Sequence, residues 1–367
     1  MPAGGPPPGP RVHCGIERGQ LAWGWVASRG RSPPMIPTSK NFVQGLRQAI
    51  ARPPEGVDAG FRSYYPELVD DPGIRKYIRA KEQLLELGGG LACVRGRTVL
   101  DAGSGFGLVA NLMAAWGARQ AIALEIFAPM AGSHRRLLDT HFPHLREIVL
   151  PVRGDAQTMP VKSASVDLLL SIEAVSHYYD VDAFLDECAR VMRPGGVLLI
   201  SDGNNGANPA LRRFTEQLWE RFEIGPTGPF GEHVVEETMV ARRASIIAAR
   251  FQELAPERVR SLAEATSGMV RPEIEQAVAS HLSGGPAPAA HYRFGMVPRD
   301  PHWGSVAEAL FDPRVLAAQI ERRGFHARAI PHYGGARNRL ILAADRVLRL
   351  VPSFRIARAF RIAARRR

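Results

Sequence analysis

The run "TVLDAGSGFG", Thr98 to Gly107, sets an apolar stretch against an acid and three alternating glycines. Gly103, Gly105 and Gly107 free the backbone for a tight turn that lets a ligand approach closely. Asp101 stands where the apolar stretch ends, so whatever the loop holds must meet a carboxylate. A dinucleotide loop reads G-x-G-x-x-G and rests a pyrophosphate on the helix that follows. This loop reads G-x-G-x-G, and Asp101 would repel a pyrophosphate. A triphosphate loop ends in G-K-[ST], and no lysine occurs here.

The acid favours a cationic ligand instead, and S-adenosylmethionine carries both a sulfonium and an ammonium group. Glu125 follows Gly107 by 18 residues, at the end of the apolar run "QAIALEI". An acid there is placed to accept hydrogen bonds from two ribose hydroxyls, which supports a nucleoside without selecting one. Asp155, in "RGDAQTMP", is placed to meet an adenine amino group, and Ala156 to pack on the ring. Ser171 to Glu173 end another apolar run, beside the methionine portion of such a ligand. His177, in "SIEAVSHYYD", has two readings: general base for a hydroxyl acceptor, or a residue that shapes the pocket or caps the next helix. Tyr178 and Tyr179 read as pocket walls. Tyr64 and Tyr65 either close over the cofactor or pack in the core. His141 and His144 have metal-pair spacing, but a proline intervenes and no third ligand is evident, so no metal is expected.

These residues need a scaffold that brings strand ends together. "TVLDAG", "QAIALEI", "EIVLPVRGDA", "SVDLLLSIEA" and "RPGGVLLISDG" read as strands with both faces apolar. Helical patterns such as "GLVANLMAAWGA" and "DVDAFLDECARVM" alternate with them. That alternation predicts a doubly wound α/β sheet, mostly parallel and covered by helices on both faces. After Asp202 it stops, and residues 204–305 read mainly as helices. It resumes with the helix "DPRVLAAQIERRGF" and the strand-like runs "HARAIPHY" and "RLILAA". The expected organisation is therefore an extension over 1–34, a core over 35–203, a helical cap over 204–305, the last helix and strand pair over 306–345, and a tail over 346–367.

"VLDAGSGFG", "ALEI", "GDAQTMPVKSASVDLLLSIEAVSHYYD" and "ARVMRPGGVLLISD" together resemble the class I S-adenosylmethionine-dependent methyltransferases. The resemblance is to the small-molecule, type 11-like branch with its "GDA…LPF…FD" and "RVLRPGG" signatures. It covers residues 98–202 well and 312–343 loosely. It implies a seven-stranded Rossmann-like sheet with an antiparallel last strand and the cofactor at the strand C-termini. It also carries over Asp101, Gly103, Gly105, Glu125, Asp155, Ala156 and Ser171 as cofactor-binding positions. A histidine at the place of His177 is common in the family without catalysing anything. The cap, the extension and the tail depart from the family's pattern.

The net charge of +11 first suggests a nucleic-acid partner. Eight arginines after Asp345 carry +8, and four arginines against Glu17 carry +3 within residues 1–34, so residues 35–345 are neutral. A nucleic-acid groove on the folded body is therefore not expected. Residues 1–34 are rich in proline and glycine and read as disordered, with Met35 a second candidate start and "LAWGWVA" too short and broken for a secretory core. The tail "VPSFRIARAFRIAARRR" reads as a basic amphipathic helix, with Arg355, Arg358, Arg361 and Arg365 on one side, suited to an anionic membrane surface, to docking on its own domain or to a frayed end. Cys14, Cys93 and Cys188 are scattered, no run approaches the ~18 apolar residues of a membrane span, and the expected setting is cytoplasmic or membrane-peripheral. The expected function is methyl transfer to a hydroxyl, amine or carbon of a small acceptor. The alternatives are a lipid or isoprenoid acceptor at a membrane, and a cofactor-binding scaffold without catalysis. Oligomeric state is left open.

Overall fold

The computed structural model describes residues 40–333, apart from 232 and 294, and residues 353–367. The expected extension over 1–34 and the run "RLILAA" lie outside the described residues. The chain opens with α1 (Lys40–Ala51), α2 (Phe61–Tyr64) and α3 (Asp71–Glu86). The core follows as β1 (Thr98–Ala102), α4 (Leu108–Ala115), β2 (Gln120–Glu125), α5 (Ala128–His141), β3 (Val149–Arg153), β4 (Val166–Ile172), α6 (Val181–Val191) and β5 (Met192–Asp202). Next come α7 (Pro209–Ile224), a hairpin of β6 (Gly228–Phe230) and β7 (His233–Val235), then α8 (Met239–Arg250), α9 (Pro256–Ala265) and α10 (Arg271–Leu282). The chain ends with α11 (Pro313–Arg322), β8 (Phe325–His332) and β9 (Ala359–Arg366).

Seven strands form one sheet in the order β3-β2-β1-β4-β5-β9-β8. The first five are parallel, and β9 lies antiparallel between β5 and β8. The core strands are buried on both faces. One layer packs residues of α1, α3, α4 and α5 against the sheet, among them Leu46, Ile78, Leu112 and Leu137. The other packs Phe184 and Leu185 of α6 and Leu316 and Ile320 of α11. Covered two-sided strands of this kind need continuous apolar runs, as the sequence supplies. The strand order reverses between β1 and β4, and a sheet of this kind opens a crevice at that point, beyond the strand C-termini. Helices α8, α9 and α10 share a separate apolar core that includes Ile247, Leu262 and Ile274.

The tail corrects the sequence reading. Residues 359–366 form a strand, not an amphipathic helix. Phe360, Ile362 and Ala364 face the α6/α11 layer, whereas Ala363 faces the α3 layer. A period of two wins because the slot between β5 and β8 supplies backbone partners on both sides. Arg365 donates to the carbonyl of Gly195 at 2.8 Å, within the sheet. The helix on which membrane contact was argued does not form there. No helix among the described residues is long and apolar enough to cross a membrane.

Candidate active site

The glycine loop joins β1 to α4 and has its backbone in left-handed regions at two crowded points. Gly103 has φ +73°, and a Cβ there would lie 2.6 Å from the Ala174 side chain. Gly107, the N-cap of α4, also has φ +73°, and a Cβ there would fall 2.1 Å from the His134 ring. His134 is buried and its Nε2 lies 3.0 Å from Asn111 Oδ1. Burial, then Arg135, pushes its imidazole down to about 4, so a neutral ring supports the loop at pH 7. Glu125 ties the loop from the other side. Its Oε2 accepts from Gly105 N at 2.8 Å and its Oε1 from Phe127 N at 2.8 Å. Each carboxylate oxygen keeps a second lone pair, so the expected ribose contacts remain open to it.

Asp101, one residue before the end of β1, is 2% exposed. Burial pushes its carboxyl up to about 7, Lys81 opposes the shift, and Glu125 adds to it. Its Oδ2, the Ser104 hydroxyl and the Tyr77 hydroxyl have no hydrogen-bond partner among the described residues. Buried polar atoms are nearly always paired, so this group around one loop fits a polar ligand. Tyr64 lies over the loop, its hydroxyl 3.6 Å from where a Gly105 Cβ would be, whereas Tyr65 is buried against Phe61, Phe106 and Tyr77.

A pocket beyond β2 and β3 is walled by Leu124, Ile126, Asp155 and Ala156, and on its outer side by Trp303 and Ser305. Asp155 Oδ1 is committed to Gln157, whose backbone N donates at 2.8 Å and side-chain Nε2 at 3.0 Å. His177 borders this pocket too, with its Nδ1 3.1 Å from the carbonyl of Val306. That acceptor makes Nδ1 the protonated nitrogen. Ser171 is fully buried, and its hydroxyl faces that of Tyr178.

On the opposite side, Glu173 follows β4 directly with φ +50° and accepts from Gly203 N at 2.9 Å. Its side chain keeps solvent-exposed surface. Loss of hydration, then the charges of Asp202 and later Glu308, push its carboxyl up to about 7. Glu308, also in a left-handed conformation, accepts from Asn204 Nδ2 at 2.5 Å. Lys81 of α3 stands beside these acids, its Nζ 4.8 Å from the Tyr77 ring centre. Sequence reasoning did not find Lys81, Trp303, Ser305 or Glu308. No group of metal-binding side chains occurs among the described residues.

The methyltransferase-domain family matches residues 100–200. A relative from Mycolicibacterium smegmatis, named a probable S-adenosylmethionine-dependent methyltransferase, is 36% identical over 110 residues, which are 30% of this chain and 39% of the relative. The malonyl-[acyl-carrier protein] O-methyltransferase of Methylococcus capsulatus is 38% identical over 115 residues, 31% of this chain and 40% of that protein. The chain thus spans about two fifths of these relatives. A solved S-adenosylmethionine-dependent methyltransferase from Mesorhizobium loti aligns with 76% of this chain and 100% of its own, at 17% identity and a TM-score of 0.38. Across β1 to β5, residues 100–200 match the methyltransferase-domain family, and over that span the chain is similar to proteins named S-adenosylmethionine-dependent methyltransferases.

Proposed function

We propose that the chain transfers a methyl group from S-adenosylmethionine to a small organic acceptor. The observation that carries this reading is the set of buried, unpartnered atoms around the glycine loop: Asp101 Oδ2, Ser104 Oγ and the Tyr77 hydroxyl. Asp101 and Ser104 would hold the polar end of the cofactor, Gly103 and Gly105 would let it approach the backbone, and Glu125 would take the ribose. Asp155 and Ala156 would meet the adenine. Once bound, the cofactor supplies an electrophilic methyl on a cationic sulfur.

The chain's own task is then to orient an acceptor and manage its proton. Glu173, Asp202 and Glu308 outweigh Lys81 on the acceptor side, so that side suits a group that arrives protonated or loses a proton. Glu173 is the better proton acceptor in this reading. His177 borders the adenine side and its Nδ1 is engaged by Val306. The residues over 204–305 would roof the acceptor space. The lipid reading, which rested on the cap and the tail together, loses the tail helix and keeps the cap, and the scaffold reading finds no damage in the glycine loop. Incubating the full chain and S-adenosylmethionine with panels of amines, phenols, carboxylates and isoprenoids, and measuring S-adenosylhomocysteine release, tests the reading. Acceptor-dependent release supports it; cofactor binding with no turnover on any class would favour the scaffold.

A further inference from the structure

Between the cap and α11 the chain crosses the open side of the crevice as a strap, residues 299–311. Its first half is a rigid turn. Asp300 is 6% exposed. Its Oδ1 accepts from His302 N at 2.8 Å and Trp303 N at 3.0 Å, and Arg242 of α8 holds its other oxygen. Asp300 N donates to the Ser305 carbonyl at 2.8 Å, and Gly304 N to the Asp300 carbonyl at 2.9 Å. A turn fixed so thoroughly nevertheless leaves Trp303 41% exposed. The indole stands edge-on to Phe127, with ring centres 4.9 Å apart, and forms a wall of the pocket that contains Asp155 and Ala156.

The strap is pinned midway. Val306 N donates to the His177 carbonyl at 3.0 Å, His177 Nδ1 donates to the Val306 carbonyl at 3.1 Å, and Ala309 N donates to the Ser176 carbonyl at 2.8 Å. It is pinned again at its far end, where Phe311 N donates to the Asn204 carbonyl at 3.1 Å. Within five residues the strap passes from Trp303, through the His177 contact, to Glu308 beside Glu173.

We propose that the strap completes the nucleoside pocket, with Trp303 as the wall facing the adenine ring and His177 as the positioning residue that latches it shut. The inference rests on the reading of the crevice as a cofactor site. It gives His177 a role that needs a donor at Nδ1 and no proton transfer. Asparagine places its amide nitrogen where histidine has Nδ1 and therefore keeps the latch whole; alanine removes its side-chain bond and leaves the backbone bonds from Val306 N and Ala309 N. Because the same strap carries Glu308, a loose latch also disturbs the acceptor side.

The test uses the full chain and S-adenosylhomocysteine, followed by calorimetry for affinity and by stopped-flow for release. Trp303→Ala should weaken binding about ten- to a hundredfold, the range for loss of an aromatic stack on a base, and Trp303→Phe should retain most of it. His177→Ala should weaken binding about tenfold through faster release, and His177→Asn should stay within about threefold of the wild type, as expected when one neutral hydrogen bond is lost or kept. Thermal melts verify that Trp303→Ala, altered at a partly exposed side chain, is folded. If the wild type binds and Trp303→Ala binds equally well, or His177→Asn is as weak as His177→Ala, the strap inference is overturned while the cofactor reading stands. A wild type that does not bind at all overturns both.

Discussion

Asp101→Asn separates function from stability. The buried carboxyl titrates at about 7 in the folded chain against an ordinary value of 3.8. A raised value means that the folded chain holds a proton which the unfolded chain has lost. The group's contribution is therefore fully present below pH 3.8 and disappears as pH climbs to about 7. At ~1.4 kcal/mol per pH unit, the buried charge costs the ligand-free protein about 4 kcal/mol above pH 7. Asparagine keeps the shape without the charge, although Lys81 then loses a counter-charge. We expect Asp101→Asn to be more stable than the wild type by about 2–4 kcal/mol at pH 8 and equal to it near pH 4. The same variant should bind S-adenosylhomocysteine at least ~10-fold more weakly at pH 8, because a charge-assisted contact is lost. Wild-type affinity should fall about tenfold from pH 8 to pH 6 as the carboxyl takes up its proton, and the variant should show no such fall. Urea unfolding and calorimetry at the two pH values measure both. A variant less stable than the wild type at pH 8, or one that binds normally, would refute the reasoning.

Three further expectations concern other parts of the molecule. Truncation after Val351 removes β9, the strand between β5 and β8, and with it the buried Phe360 and Ile362; we expect aggregation and no cooperative melt, and a soluble truncated protein with a normal melt would contradict the sheet order. Gly107→Ala combines a left-handed backbone with a Cβ inside the His134 ring, so urea unfolding should show a loss of about 2–4 kcal/mol. Glu173→Gln should lower turnover roughly 10²–10⁴-fold and remove a rise of rate with pH through about 7, since the carboxylate is the active form; an unchanged pH profile would remove Glu173 from proton transfer.

The parallel part of the sheet was legible because its strands are apolar on both faces and end in acids or glycines, a pattern that few other arrangements require. The glycine loop was legible for the same local reason. The tail was not. Arginines at 355, 358, 361 and 365 have helical spacing, while Phe360, Ile362 and Ala364 have strand spacing, and only the empty slot between β5 and β8 decides between them. The strap was also hidden. Trp303 lies about two hundred residues beyond Gly103 in an irregular segment, and nothing local marks it as a pocket wall. His177 carried a signal of proximity without one of role, because the Val306 carbonyl that engages it belongs to a distant part of the chain.

Titrating the full wild-type chain with S-adenosylhomocysteine at pH 8, with NAD and ATP as competitors, is the most direct measurement of the central claim. The account predicts one site of micromolar affinity, about −7 to −8 kcal/mol, that neither competitor displaces. No measurable binding, or displacement by NAD at similar concentration, would contradict it.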